Sequence, residues 1–326
     1  MTSKCATPEG TAHYRERFAD RLAPTHFHVQ HGLVLSSIGI GTYLGNPDEA
    51  TDLSYTRSVV RAVELGVNVI DTAANYRFQR SERSIGEALK LLANQHGIAR
   101  EELVICTKGG YLPFDGAPPR NVREYVNETF VKPNIASFED IVAGSHCMTP
   151  SYLQSQLDQS LRNMGLECVD VYYIHNPESQ LQYVSEQEFY DRLKQAFARL
   201  EENREQGKLA HYGVATWNGF RMPRNSGAHH SLTRMVELAR EVGGEQHGFH
   251  FIQLPFNIAM PEGASVVDEA QQLGVTVVAS ASLMQGRIPP QTAIEFARSN
   301  SGITTALIGM SRVEHVEENL ATDLHG

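Results

Sequence analysis

Four polar side chains stand at the ends of short apolar runs in a pattern that could move a proton. Asp71 closes the run 67–71, Lys108 follows 103–107, His175 follows 169–174, and Tyr76 lies five residues beyond Asp71. A phenol, with a reference pKa of about 10, donates poorly at neutral pH unless a nearby cation stabilises the phenolate. Lys108 is a candidate for that cation, and Asp71 for the counter-ion such an ammonium would need. His175 could hydrogen-bond a carbonyl oxygen and turn it toward the phenol. Each residue alone has an ordinary structural reading, since an Asp after a strand often caps a turn and a Tyr near a rim usually packs. Jointly they could deliver a proton to an oxygen that becomes an alcohol.

For these groups to meet, the chain must bring its apolar runs side by side. Candidate strands fall at 37–42, 67–71, 103–107, 169–174, 211–216, 250–254, 275–280 and 304–308, each followed by an amphipathic stretch. The helix-like stretches are 55–65, 82–93, 151–164, 186–206, 231–241, 265–273, 290–300 and 313–320. Gly66, Gly165, Gly207, Gly243 and Gly274 stand where glycines would end five of them. Eight strand-helix units predict an α/β protein with a (β/α)8 TIM barrel, whose active sites are built at the C-terminal ends of the strands. The segment 39–45 superficially resembles a dinucleotide fingerprint, but Asn46-Pro47-Asp48 starts no helix after it.

Ahead of the first strand, His31-Gly32 between two short apolar runs predicts a β-hairpin that could plug the N-terminal mouth of the barrel. Residues 1–25 read as an N-terminal extension and 26–326 as one barrel domain. The connection 109–150 after the third strand is Pro- and Gly-containing and long, which predicts a lid, a binding loop or an interface on the C-terminal face.

Lys and Arg number 28 against 38 Asp and Glu, a net charge of −10 that argues against a nucleic-acid or anionic-membrane partner. Neither a signal-peptide core nor a membrane-length apolar run is present. Cys5, Cys106, Cys147 and Cys168 are widely spaced, without a metal-binding pattern, and read as reduced thiols of a cytoplasmic protein. No metal site is expected, and oligomeric state is not legible.

At the level of motifs the chain resembles the aldo-keto reductases. Asp71-Thr72-Ala73-Ala74-Asn75-Tyr76, then Ser81-Glu82 and Ile85-Gly86-Glu87-Ala88-Leu89, is similar to that family's signature. Ile105-Cys106-Thr107-Lys108 and Asp170-Val171-Tyr172-Tyr173-Ile174-His175 resemble its third- and fourth-strand motifs. The resemblance implies an NAD(P)H-dependent oxidoreductase of aldehydes, ketones or sugar hemiacetals. In that reading Tyr76 is the general acid, Lys108 lowers its pKa, Asp71 pairs with Lys108 and His175 positions the carbonyl. The cofactor would lie across the C-terminal face, against Gly41, Thr42, Asn176, Thr216, Gln253, Ser280, Ala281, Leu283, Gln285 and Gly309. The adenosine end would meet Ser311, Arg312, His315, Glu318 and Asn319, with Ser311 or Arg312 on a 2′-phosphate, so that NADP is favoured over NAD.

Departures from the family pattern fall at Ala215-Thr216, where Ser-Asn is usual, at Ser280, where a tyrosine usually stacks on the nicotinamide, and at Gly309 and His315 in the phosphate segment. Substrate-facing candidates are Tyr43, Arg77, Phe78, Tyr111, Asn176, Trp217 and the long loop, with a small carbonyl compound or sugar as partner. Two other functions fit the same residues. Lys108 could form a Schiff base in a lyase, which would require it unpaired, or the protein could sense nicotinamide cofactors without catalysis.

Overall fold

The computed structural model describes residues 4–320; the first three residues of the expected extension and the last six of the expected barrel segment lie outside it. Its elements are β1 (Phe27–Gln30), β2 (Leu33–Ser36), β3 (Ile38–Gly41), β4 (Val69–Asp71), β5 (Val104–Gly109), β6 (Val169–His175), β7 (Leu209–Ala215), β8 (Phe249–Pro255), β9 (Thr276–Ser280) and β10 (Ile303–Gly309). Strands β3 to β10 form a closed barrel in chain order, all parallel, with β10 pairing back onto β3. This is a (β/α)8 barrel, and each expected strand is present within a few residues.

The helices are α1 (Pro8–Glu16), α2 (Glu49–Glu64), α3 (Arg80–Gln95), α4 (Val122–Val126), α5 (Pro150–Met164), α6 (Glu186–Glu205), α7 (Leu232–Gly243), α8 (Ala264–Leu273), α9 (Pro290–Ser299) and α10 (Val313–Leu320). Helix α2 starts six residues before the apolar pattern does, because the Asp48 carboxylate accepts from the Thr51 N–H at 2.8 Å and caps it. Gly165 and Gly274 cap α5 and α8 in the left-handed conformation, but α7 runs through the expected Gly243 and its positive-φ cap falls one residue later, at Gly244 (φ +66°). Helix α1 is an element that alternating polar residues concealed. Thr7 caps it, Pro8 starts it, and the buried Tyr14 hydroxyl donates to the Val63 carbonyl at 2.5 Å.

Strands β1 and β2 pair antiparallel through His31 (φ +50°) and Gly32 (φ +83°), the two positive-φ positions of a tight hairpin turn. Leu33 and Leu35 enter the barrel interior with Val69, Val104, Cys106, Val171, Tyr173, Phe251, Val278 and Leu307, so the hairpin plugs the N-terminal mouth. The complementary core, between barrel and helices, takes the other face of the same strands: Ile70, Ile105, Tyr172, Ile174, Ile252 and Ile308. Connection 109–150 is not structureless. It contains α4 and one π-helical turn, Asn127–Val131, folded over a small core of Leu112, Val126, Phe130, Ala136, Ile141, Cys147 and Tyr152.

The cysteine expectation needs one correction. Cys106 and Cys147 are buried thiols, but Cys5 and Cys168 are joined as a disulfide, with Cα atoms 5.5 Å apart across 163 residues of sequence. Sequence spacing conceals this pair because the barrel closes the distance.

At the plugged mouth the rings of His31, His211 and His250 contact one another, His31 stacking on His250 at 4.2 Å and the two Nδ1 atoms of His211 and His250 lying 2.9 Å apart. Burial, reinforced by the neighbouring imidazoles, pushes His211 down to about 4 and His250 to about 3. In an unfolded chain both titrate near 6.5, so the unfolded state takes up protons first and the stability present above about pH 6.5 is lost as pH falls toward 4. His250→Phe is expected to lose less unfolding free energy between pH 7 and pH 4.5 than the native chain does, measured by urea denaturation. Equal losses would show that the cluster does not set the acid limit.

Candidate functional site

Because side chains alternate along a strand, residues two places beyond the interior apolar layer also face inward, one layer nearer the C-terminal rim. Thus Val69 leads to Asp71, Cys106 to Lys108, Tyr173 to His175, Phe251 to Gln253, Val278 to Ser280 and Leu307 to Gly309. The apolar layer belongs to the plugged interior. The next layer opens on a cavity of about 670 Å³, lined by Asp71, His175, Gln253, Ser280 and Gly309, with Lys108 fully buried beneath.

Lys108 Nζ donates to Asp71 Oδ2 at 2.5 Å and to the Thr72 carbonyl at 2.8 Å, while Gln253 Nε2 donates to the other Asp71 oxygen at 2.9 Å. Burial alone would lower Lys108, but the Asp71 carboxylate and the Tyr76 phenol together outweigh it and hold the amine above its ordinary value. Burial also pushes Asp71 up, against the pull of Lys108. Direct contact of Nζ with Oδ2, and the second hydrogen bond from Gln253, describe an ion pair.

Tyr76 closes the layer from above, its ring centroid 4.9 Å from Lys108 Nζ. Burial raises the phenol and Lys108 opposes that rise, so in the ligand-free geometry the expected lowering by Lys108 is a counterweight to desolvation and not a net fall. His175 lies edge-on to Tyr76 and to Tyr111, at 5.8 and 5.1 Å between centroids. Burial and the Lys108 charge hold its imidazole well below the usual range, so it is neutral and can hydrogen-bond without carrying charge.

The Ser81-Glu82 pair braces this layer from behind. Ser81 Oγ donates to the Thr42 carbonyl at 2.8 Å, and the buried Glu82 accepts from Thr107 Oγ1 at 2.7 Å and Asn163 Nδ2 at 2.8 Å, fixing the residue before Lys108.

Of the cofactor residues expected from sequence, Gly41, Thr42, Asn176, Thr216, Gln253, Ser280, Ala281, Leu283, Gln285 and Gly309 line the cavity. Ser311, Arg312, His315, Glu318 and Asn319 do not; the Arg312 guanidinium is turned onto His315. Among the substrate candidates Tyr43, Tyr111 and Trp217 line it, whereas Arg77 is a correction. Its side chain is buried, ion-paired with Asp52 and bonded through Nε to the Asn46 carbonyl at 2.9 Å, so it ties the rim loop to α2 and faces no substrate. Its left-handed backbone (φ +48°), shared with Phe78 and Gln79, turns it inward. Phe78 likewise lies outside the lining, tilted against Phe114.

Sequence reasoning missed Asn75, Met260, Ser282, Met284 and Arg287, which also line the cavity. Arg287 carried a signal: a cation beside Gly286, soon after the seventh barrel strand. It is exposed and has no side-chain partner among the described residues. Several buried polar atoms of the lining also lack a partner: Asn75 Oδ1, His175 Nδ1, Thr216 Oγ1 and Ser282 Oγ. Unpaired buried polar groups are costly, and a bound polar molecule would satisfy them.

Barrel, buried ion pair and cavity together place a polar pocket at the C-terminal rim of a β/α barrel. The chain belongs to the aldo/keto reductase family, whose model matches residues 37–290, and it is an NAD(P)-dependent oxidoreductase of that family. It is 24% identical to a Schizosaccharomyces pombe protein described as a voltage-gated potassium channel subunit beta, over 93% of this chain and 89% of that one. It is 27% identical to the NADH-specific methylglyoxal reductase of Escherichia coli, over 56% of this chain but 49% of the reductase. Among solved structures, the aldo/keto reductase from Klebsiella pneumoniae in complex with NADP and acetate superposes with a TM-score of 0.60 at 16% identity, covering 92% of this chain and 89% of that one.

Removing one partner of a buried pair strands the other charge, at a cost of roughly 3–5 kcal/mol. Lys108→Met and Asp71→Asn are each expected to lower the unfolding free energy by about that much in urea denaturation, and the double variant to recover a large part. Single variants within about 1 kcal/mol of the native chain would refute the buried ion pair.

Proposed function

We propose that the cavity binds a nicotinamide dinucleotide and an aldehyde, ketone or sugar hemiacetal, and that Tyr76 exchanges the proton on the substrate oxygen. The observation that carries this reading is the buried Lys108–Asp71 pair directly beneath the Tyr76 phenol. When bound, the reduced cofactor supplies a hydride to the carbonyl carbon. The protein's part is to hold the oxygen and protonate it. His175, neutral and edge-on to Tyr76, donates a hydrogen bond that orients the oxygen. Tyr76 gives up its proton as negative charge develops there, and the fixed ammonium of Lys108 stabilises the phenolate that results. Asp71 keeps Lys108 charged and immobile. In the reverse direction the same phenolate would accept the proton.

The donor set suits the cofactor. Thr216 and Ser282 offer unpartnered hydroxyls, Gln253 has its carbonyl oxygen left after bonding Asp71, and Arg287 is a cation for phosphate. With Arg312 turned onto His315, we assign the preference for NADP over NAD to Arg287. The substrate side is walled by Tyr43, Tyr111, Trp217 and Met260, which suits a carbonyl compound with an apolar substituent.

Similarity to the channel subunit favours a second reading, in which the chain senses nicotinamide cofactors without turnover. The lyase reading is disfavoured, since an amine held charged by Asp71 is a poor nucleophile.

Tyr76→Phe is expected to lower kcat for carbonyl reduction at least about a hundredfold while leaving the Kd for NADPH within about twofold. Failure of the native protein to turn over any carbonyl compound with either cofactor, despite binding one, would move the assignment to the sensor. Arg287→Ala is expected to weaken NADPH about tenfold more than NADH by calorimetry, and Arg312→Ala to affect both alike; the opposite ranking would return the phosphate to Arg312.

A further inference from the structure

His175 carries no ring hydrogen bond among the described residues, so its imidazole depends on its backbone for position. That backbone is anchored on one side by the parallel ladder, where His175 is in register with Ala215 and the Asn176 N–H donates to the Ala215 carbonyl at 2.6 Å. On the other side the ladder stops early. Register between β5 and β6 ends at Gly109 with Ile174, and Gly110, at φ +138°, swings the chain away. The His175 carbonyl would therefore face no strand.

His146, from the long connection, fills the place. Its Nε2 lies 2.8 Å from the His175 carbonyl oxygen. The ring sits where a Gly110 side chain would be, since a Cβ there would stand 2.8 Å from Nε2. Its tautomer follows from the groups behind it. Arg192 can only donate, and its Nη1 is 2.7 Å from Gln180 Oε1. The amide nitrogen of Gln180 therefore faces His146 Nδ1, at 2.9 Å, and donates to it. Nδ1 accepts, so Nε2 carries the hydrogen and donates to His175. Both His146 and Gln180 are fully buried, and burial pushes His146 down to about 4, so this arrangement is neutral across the physiological range.

We propose that His146, held in one tautomer by Gln180 and Arg192, is a positioning residue that completes the sheet at His175 and thereby sets the imidazole against the substrate oxygen. The proposal rests on the reductase reading of the site, and gives the connection 109–150 a part in it that neither a lid nor an interface would supply.

The test compares His146→Leu, which keeps bulk without the donor, with His146→Gln, whose amide can reach the same carbonyl. Carbonyl reduction by His146→Leu is expected to fall about tenfold in kcat with the NADPH Kd unchanged, and His146→Gln to stay within about twofold of native, because small misplacements of a positioning group act on turnover. The ring nitrogen resonances of His175, identified by their loss in His175→Gln, give a readout that does not depend on activity. They should move in His146→Leu and hold in His146→Gln. Unmoved His175 resonances in His146→Leu, or equal displacement in both variants, would overturn the proposal. Should the native protein reduce nothing, the reductase reading fails while the resonances still judge the strut. If His146→Leu does not fold, Gln180→Met, which frees the tautomer, is expected to move the same resonances, and no movement there counts against it.

Discussion

One buried ion pair constrains the rest of the site. An ammonium at the bottom of a cavity is tolerable only with a carboxylate in contact, so Lys108 and Asp71 must come within reach of each other on adjacent strands. Register achieves this: Asp71 pairs with Cys106, two residues short of Lys108, so the long lysine side chain reaches back across one pleat to the carboxylate. Gln253, four strands further round the barrel, supplies the second hydrogen bond, and only a closed barrel brings it there. Substitution of either charge thus disturbs both fold and chemistry, which is the usual condition of a site built from core positions.

Closure also explains how the two ends of the barrel divide the work. Leu33 and Leu35 of the hairpin seal the N-terminal mouth, and the neutral histidines outside them cap the plug. The interior layer of Tyr173, Phe251 and their neighbours separates that plug from the polar layer. This apolar layer closes the cavity from below, and the cavity opens at the C-terminal rim. There α5 supports the start of the long connection: Gln156 accepts from the Gly110 N–H at 2.6 Å and donates to the Tyr111 carbonyl at 2.7 Å, and so places Tyr111 beside His175.

Much of this was legible in the chain because strand periodicity is strict. Asp71, Lys108 and His175 stand at the ends of apolar runs, and the pleat turns all three into the barrel; Gln253, inside its run, was assigned by resemblance. The hairpin was legible from His31-Gly32 for the same local reason. What was not legible depends on long-range geometry or on unusual backbone. Arg77 looks like a rim residue until three successive left-handed residues turn it onto Asp52. The Cys5–Cys168 disulfide joins positions 163 residues apart, and no spacing rule reaches that far. Helix α1 hides because a short helix docked on a barrel needs few apolar residues, here chiefly Tyr14. Ser282 and Arg287 lie in a loop whose path at Ala281, Met284 and Gln285 is also left-handed, so their approach to the cavity could not be read from neighbours. The adenosine-end residues were assigned by resemblance alone, and the cavity does not extend to them.

The central claim is that Lys108 is a permanent cation clamped by Asp71. Its protonation is best measured directly, by titrating the Cε resonances of labelled lysine and identifying Lys108 by its loss in Lys108→Met. The account predicts that Lys108 remains protonated past its ordinary value of 10.5 and titrates at lower pH when Asp71 is replaced by Asn. A Lys108 that titrates near neutrality in the native protein would contradict the ion pair, and would point to the amine as a nucleophile instead.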